Sequence, residues 1–170
     1  MTSISSTAAK GHFRAAATRE DGAAVEELVR ASGVFSDEEI AIARELVEES
    51  LARGVLASGY HFLFSDGASS LDGYTCFGRI PGTDGRYELY WIAVRRDRQR
   101  SGLAARLLRA SEEAAHAMGG AMMIAETSTL PRYAAAHKFY LARGYTLLAD
   151  IPDWHADGDG LAIYGKRLKQ

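Results

Sequence analysis

With one cysteine and three prolines in 170 residues, the chain cannot close an internal disulfide and has few fixed interruptions of its backbone. Cys76 lies in an apolar alternating run, where it reads as a small buried hydrophobe rather than a nucleophile. A reducing, cytoplasmic setting is the expectation that follows. No stretch approaches the ~18 consecutive apolar residues of a membrane span. The Ser/Thr/Ala-rich start, residues 1–11, lacks the apolar centre of a signal peptide and reads as a loose tail. Charge of one sign is also lacking: the formal net charge is −2, which gives no reason to expect nucleic acid or an anionic membrane as a partner. Internal repeats are absent, and no linker rich in Pro, Gly or Ser divides residues 12–170, so one domain is expected.

What is present is a regular succession of periods. Residues 12–18 suit a short strand. Thr18-x-x-Asp21 has the spacing of a capping box and opens a helix over 21–32, stopped by Gly33. Ser36-x-x-Glu39 repeats the device, and Ile40, Ala43, Val47 and Leu51 line one helical face up to Gly54. Residues 60–65, 72–80 and 86–95 are rich in aromatic and β-branched side chains. Asp66-Gly67, Asp72-Gly73 and Asp84-Gly85 mark turns or bulges, and an antiparallel meander is expected. Leu103, Leu107, Ala110, Ala114 and Met118 predict a helix over 102–118, ended by Gly119-Gly120 before an apolar strand at 121–126. That strand-helix-strand passage makes its two strands parallel. Pro131 opens a further helix to residue 143, followed by strands near 145–149 and 161–168. The class is α/β (α+β), with a mixed sheet of about seven strands and about four helices.

The chemistry concentrates after Val94. There V-R-R-D-R-Q-R-S-G-L-A-A-R-L-L runs from a strand end through a basic turn into a helix. Backbone N–H groups at such a turn, with the positive end of the helix dipole, hold a phosphate without needing a particular side chain. Gly102 and Ala104 are small where a diphosphate would approach, and the arginines add attraction at longer range. Neither the Walker pattern nor the dinucleotide pattern G-x-G-x-x-G is present. Asp153-Trp154-His155-Ala156-Asp157-Gly158-Asp159 is dense in ligand atoms, but it fails as a calcium loop because its third ligand position is His155 and its twelfth is Tyr164. No metal is expected, and the segment reads as a loop near an acceptor pocket.

Gln99-x-x-Gly102-x-Ala104 matches the Q/R-x-x-G-x-G/A signature of the GNAT superfamily of acyl-CoA-dependent N-acyltransferases, which the chain resembles. The segment from Ala136 through Phe139-Tyr140 to Gly144-Tyr145 is similar to that family's A-x-x-F-Y-x-x-x-G-F/Y helix. Leu89-Tyr90-Trp91-Ile92-Ala93-Val94 resembles the strand before its cofactor loop. The resemblance implies a splayed sheet and an acetyl-CoA cosubstrate whose pantetheine arm lies between the strands ending at Val94 and Glu126. By the same resemblance, main-chain groups of Ile92, Ala93 and Val94 meet the pantetheine amides and the oxyanion. Gln99, Arg100, Ser101, Gly102, Leu103 and Ala104 form the diphosphate cradle, and Tyr140 stands where the family's tyrosine protonates the departing thiolate. Many members carry asparagine where this chain has Tyr133, so cofactor contact there is open, and Thr127 or Ser128 can substitute.

Glu88 stands eleven residues before Gln99, a spacing at which a glutamate recurs in some members, and is the expected general base. Alternation puts Glu88, Tyr90, Ile92 and Val94 on one face. A carboxylate in an aromatic pocket can have its pKa raised toward neutrality. Bland readings stand beside these: Tyr140 as a core aromatic next to Phe139, and Glu88 as an ammonium anchor or a solvated strand residue. Phe35, Tyr90, Trp91, Trp154 and His155 suggest an aromatic-lined site for a small-molecule amine. The expected activity is N-acetyl transfer to a primary amine, by a monomer or a homodimer. A noncatalytic acyl-CoA sensor and a protein-amine acetyltransferase are the alternatives.

Overall fold

The computed structural model describes residues 13–169, so the expected tail at 1–11 lies outside the described residues, as does His12. Helix α1 (Asp21–Ser32) and helix α2 (Asp37–Arg53) come first, followed by a single turn, α3 (Val55–Ser58), that the sequence periods did not announce. The antiparallel meander is β1 (His61–Asp66), β2 (Leu71–Arg79) and β3 (Arg86–Val94). Helix α4 (Leu103–Ala117) then leads to β4 (Met122–Ser128), which pairs parallel to β3. A 3-10 turn (Pro131–Tyr133) runs into α5 (Ala134–Ala142), and β5 (Thr146–Ala156) and β6 (Asp159–Arg167) close the chain. The order across the sheet is β1-β2-β3-β4-β6-β5. Among the described residues no helix is long and apolar enough to cross a membrane.

The described residues form six strands where about seven were expected, and the physical reason lies at the first. Among residues 13–18 only Arg14 pairs with the sheet, exchanging both backbone hydrogen bonds with Phe64 (2.9 and 2.8 Å). Its guanidinium then turns to Asp21 and Asp66, each held at 2.7 Å, and the chain leaves the sheet edge for α1. Asp21 explains why the Thr18 capping pattern is only half formed. Its carboxylate accepts the Thr18 N–H at 2.6 Å, but no side chain caps the helix in return. The Ser36–Glu39 box is complete. On α2, Ile40, Ala43 and Val47 are buried, whereas Leu51 lies at the rim, 40% exposed, and Ser50 takes the buried place. Asp72-Gly73 marks a bulge inside β2, one of the two expected outcomes: Ser65 pairs with Gly73 and Asp66 with Leu71, so Asp72 is the extra residue, and a Cβ on Gly73 would come within 3.0 Å of the Leu107 side chain of α4.

Two apolar layers flank the sheet. Val25, Val29, Ile40 and Val47 of α1 and α2 pack on Phe62, Phe64, Tyr74 and Cys76. On the other face Leu108 and Ala115 of α4 and Tyr140 of α5 pack on Phe77, Leu89, Met123 and Tyr164. Cys76 is fully buried and free.

Candidate functional site

The site begins with a register fault in β3. Cys76 pairs with Trp91 and the next residue, Phe77, pairs with Leu89, so Tyr90 is an extra residue, a β-bulge. The bulge reverses the alternation expected from the sequence. Tyr87 and Leu89 pack toward α4 and α5, and so do Ile92 and Val94, while Tyr90, Trp91 and Ala93 pack toward α1 and α2. Glu88, between Tyr87 and Leu89, therefore lies on the face opposite Ile92 and Val94.

Past the bulge the sheet opens. β3 and β4 pair only from Arg86↔Met122 to Leu89↔Ala125. From Tyr90 onward one edge of β3 has no strand partner, while Glu126, Thr127 and Ser128 remain paired to β6 on their other side. The opening is a cleft of about 560 Å³, walled by residues 90–94 of β3 and 126–128 of β4. Phe35, Tyr133, Tyr140, His155 and Gln99 complete its lining. Of the residues singled out in the sequence, Ile92, Ala93, Val94, Thr127 and Tyr90 are thus brought together with them in one place. Adjacent residues of an extended strand point to opposite sides, and Trp154 accordingly stands outside, 60% exposed, while His155 points in. Both sit on β5, which runs into the segment read as a loop as far as Ala156, before the turn at 157–158 leads to β6. Two of that segment's three acids have structural partners: Asp153 accepts the Gly158 N–H at 2.7 Å, and Asp159 accepts the Ser128 hydroxyl.

Beyond the cleft the cofactor loop enters α4. Gly102 has φ +79°, and nothing lies within 4 Å of where its Cβ would be. Glycine is needed there for backbone conformation as well as for an open approach. No side chain caps the first turn of α4, so its N–H groups face outward unshared. The basic run divides in two. Arg95 is bound to Asp72 and Asp97, and Arg98 reaches Asp72 at 3.5 Å. Arg96 and Arg100 make no ion pair with a described residue. Arg100 (φ 62°), Ser101, Leu103 and Ala104 lie outside the cleft wall, at or next to this helix start.

Tyr140 is buried, 6% exposed, and burial lifts its phenol above the ordinary range. Its hydroxyl makes no hydrogen bond to a described residue. Glu88 does not line the cleft but sits half-buried beside it, one strand from Glu126. Burial first, and the Glu126 charge second, push its carboxyl up to about 7. Tyr133 is engaged elsewhere: its hydroxyl donates to Glu39 at 2.7 Å, linking the start of α5 to α2. Phe35 packs against both Trp91 and Tyr133, with centroids 4.8 and 6.2 Å away. The sequence reading missed Glu38, Glu39 and Glu126 on the cleft wall. Glu39 was accounted for as a cap. For Glu126 the decisive fact is spatial: it shares a strand face with Ile124, whose partner in the parallel register is Glu88, and that register is not written in the sequence.

The acetyltransferase (GNAT) family model matches residues 24–145, and the chain belongs to that family. It is an acetyltransferase by class. A Desulfovibrio desulfuricans protein described as a GNAT-family acetyltransferase is 37% identical and superposes with a TM-score of 0.90, covering 93% of this chain and 99% of that one. The fold is shared with yncA of Salmonella typhimurium, solved with acetyl-CoA (20% identity, TM-score 0.71, 94% and 96% covered). It is shared also with the aminoglycoside 6'-N-acetyltransferase of Enterococcus faecium (16% identity, TM-score 0.74, 94% and 98% covered). No curated protein matches the chain.

Proposed function

We propose that the protein transfers the acetyl group of acetyl-CoA directly to a primary amine of a small molecule. The observation that carries this reading is the split between β3 and β4, which has Tyr140 on its wall and an uncapped helix start beyond it. The residues present fit the cosubstrate. The free edge of β3 offers unpaired backbone donors and acceptors to an amide-bearing arm, and α4 offers unshared N–H groups to a diphosphate, with Arg96 and Arg100 uncommitted beside it. When bound, acetyl-CoA supplies an activated acyl group.

The chain's own part is electrostatic and protonic. Fixed main-chain N–H groups of Ile92 and Val94, which alternation in the β2–β3 ladder turns to the open edge of β3, stabilise negative charge developing on the acyl oxygen and need no reorganisation to do so. The amine must be neutral to attack the acyl carbon. Glu88, with its carboxyl near neutrality, takes the ammonium proton directly or through water. As the carbon–sulfur bond breaks, Tyr140 donates its phenolic proton to the sulfur, and the proton shed by the acylated nitrogen returns through water to the phenolate. Tyr133 is committed to Glu39, so the pantetheine is left to Thr127 and Ser128 on β4. Phe35, Tyr90 and His155 form the acceptor side, and the shared fold with an aminoglycoside acetyltransferase supports a small amine there.

The test is acceptor-dependent release of CoA across a panel of primary amines differing in size and charge. At least one amine is expected to raise release well above hydrolysis, and Tyr140→Phe is expected to lower kcat roughly 100-fold while leaving acetyl-CoA affinity nearly unchanged. Binding of acetyl-CoA with no release on any small amine identifies a sensor if peptides bearing a free N-terminus or lysine are also inert, and a protein-amine acetyltransferase if they react.

A further inference from the structure

Tyr140 packs against two other tyrosines, with ring centroids 5.4 Å away at Tyr145 and 5.7 Å away at Tyr164. Each neighbour is tied by its hydroxyl. Tyr145 donates to Glu112 Oε1 at 3.0 Å, and Lys166 Nζ holds the other carboxylate oxygen at 2.7 Å. Tyr164 meets His137 Nδ1 at 2.7 Å, and His137 Nε2 meets the Ser128 carbonyl at 2.9 Å. A carbonyl only accepts, so Nε2 carries a hydrogen; in the tautomer with its single hydrogen there, Nδ1 accepts and Tyr164 is the donor. The chain of bonds therefore has one direction, and it ends on the β4 wall of the cleft.

Packing alone does not call for these groups. Phenylalanine at 145 and 164 would fill nearly the same space, and two hydroxyls and a carboxylate would not have to leave water. Buried polar networks of this kind fix orientation more than they add stability. Of these three rings, Tyr140 alone lines the cleft and makes no hydroxyl hydrogen bond to a described residue. We infer that His137 with Tyr164, and Glu112 with Tyr145, are positioning residues that set the Tyr140 ring with its hydroxyl toward the cleft. The inference rests on the acid role proposed for Tyr140. His137 also fastens α5 to Ser128, so the helix carrying Tyr140 cannot shift along β4 without breaking that bond.

The experiment places 3-fluorotyrosine at position 140 and compares the parent with Tyr164→Phe, His137→Leu and His137→Asn. The parent is expected to give a single narrow fluorine resonance. Tyr164→Phe and His137→Leu are expected to broaden, split or shift it, and His137→Asn, whose side-chain oxygen can accept from Tyr164, to recover it at least in part. With the best amine of the panel, Tyr164→Phe in the unlabelled protein is expected to lower kcat about 10-fold, since small misplacements of a reacting group are costly, while CoA affinity stays close to the parent's. An unchanged resonance or an unchanged kcat in Tyr164→Phe overturns the inference. Should Tyr140→Phe itself turn over normally, the acid role fails separately. Should no amine react, the fluorine arm alone decides whether the ring is held.

Discussion

Asp21 is buried and Glu88 half-buried, yet they titrate in opposite directions. Burial pushes both carboxyls up. At Asp21 the Arg14 guanidinium and the Thr18 N–H outweigh it and hold the group below its ordinary range, whereas Glu88 has only a like charge, Glu126, for company. The consequences for stability have opposite sign. Asp21 contributes stability above the unfolded carboxylate range, and that contribution is lost as pH falls through its lowered folded value. Glu88 binds its proton more tightly folded than unfolded, so its carboxylate costs stability progressively as pH rises from its ordinary value of 4.5 to about 7. Glu88→Gln is therefore expected to match the parent near pH 4 and to be the more stable of the two at pH 8, as read by urea titration. In turnover the same change is expected to lower kcat and remove the acidic limb of its pH profile if Glu88 is the base. A raised amine KM with kcat unchanged returns it to an ammonium anchor.

Among the elements, α2 is the one whose start does two things. The Ser36 hydroxyl accepts the Glu39 N–H at 3.2 Å, and the Glu39 carboxylate accepts both the Ser36 N–H and the Tyr133 hydroxyl. Ser36→Ala removes the cap and is expected to cost about 1 kcal/mol, or roughly 2–4 °C in Tm for a domain of this size, measured by calorimetry. Helices α1, α2, α4 and α5 could be read in advance because apolar spacing, caps and terminal glycines agreed with one another. The Tyr90 bulge could not, because Leu89-Tyr90-Trp91-Ile92 is apolar at every position and carries no period that would betray an extra residue. That blindness is what misplaced Glu88 relative to Ile92 and Val94. The length of β5 was hidden for a related reason: nearly every residue from Thr146 to Ala156 is exposed, so no alternation marked it. The Tyr133–Glu39 bond spans 94 positions, and local pattern carries no trace of it.

For the whole molecule, topology was the more legible part: a meander, a crossover and two closing strands follow from the order of the periods, while the pairing of those last two with each other came only with the structure. Partner choice inside the sheet was not, since the place where β3 and β4 part is set by the bulge. The proposed cofactor reading has a global signature. CoA at about 100 times its Kd is expected to stabilise the protein by about 2.7 kcal/mol, read as a thermal shift. Gly102→Glu is expected to abolish that shift and Gly102→Ala to keep part of it, because both strain a φ of +79° but only one sets a negative charge at the helix start. The split in the sheet has one more consequence. A strand with a bare row of N–H and C=O groups is a template for foreign strands, and proteins usually confine such rows to the rim, where charge or a bulge blunts them. Here the bare row of β3 lies in the middle of the sheet, bordered by the apolar rings of Phe35 and Trp91, and among the described residues no lysine lines it. A molecule seated in the cleft would cover that row, so CoA is expected to slow aggregation on heating as well as to raise Tm, read by light scattering.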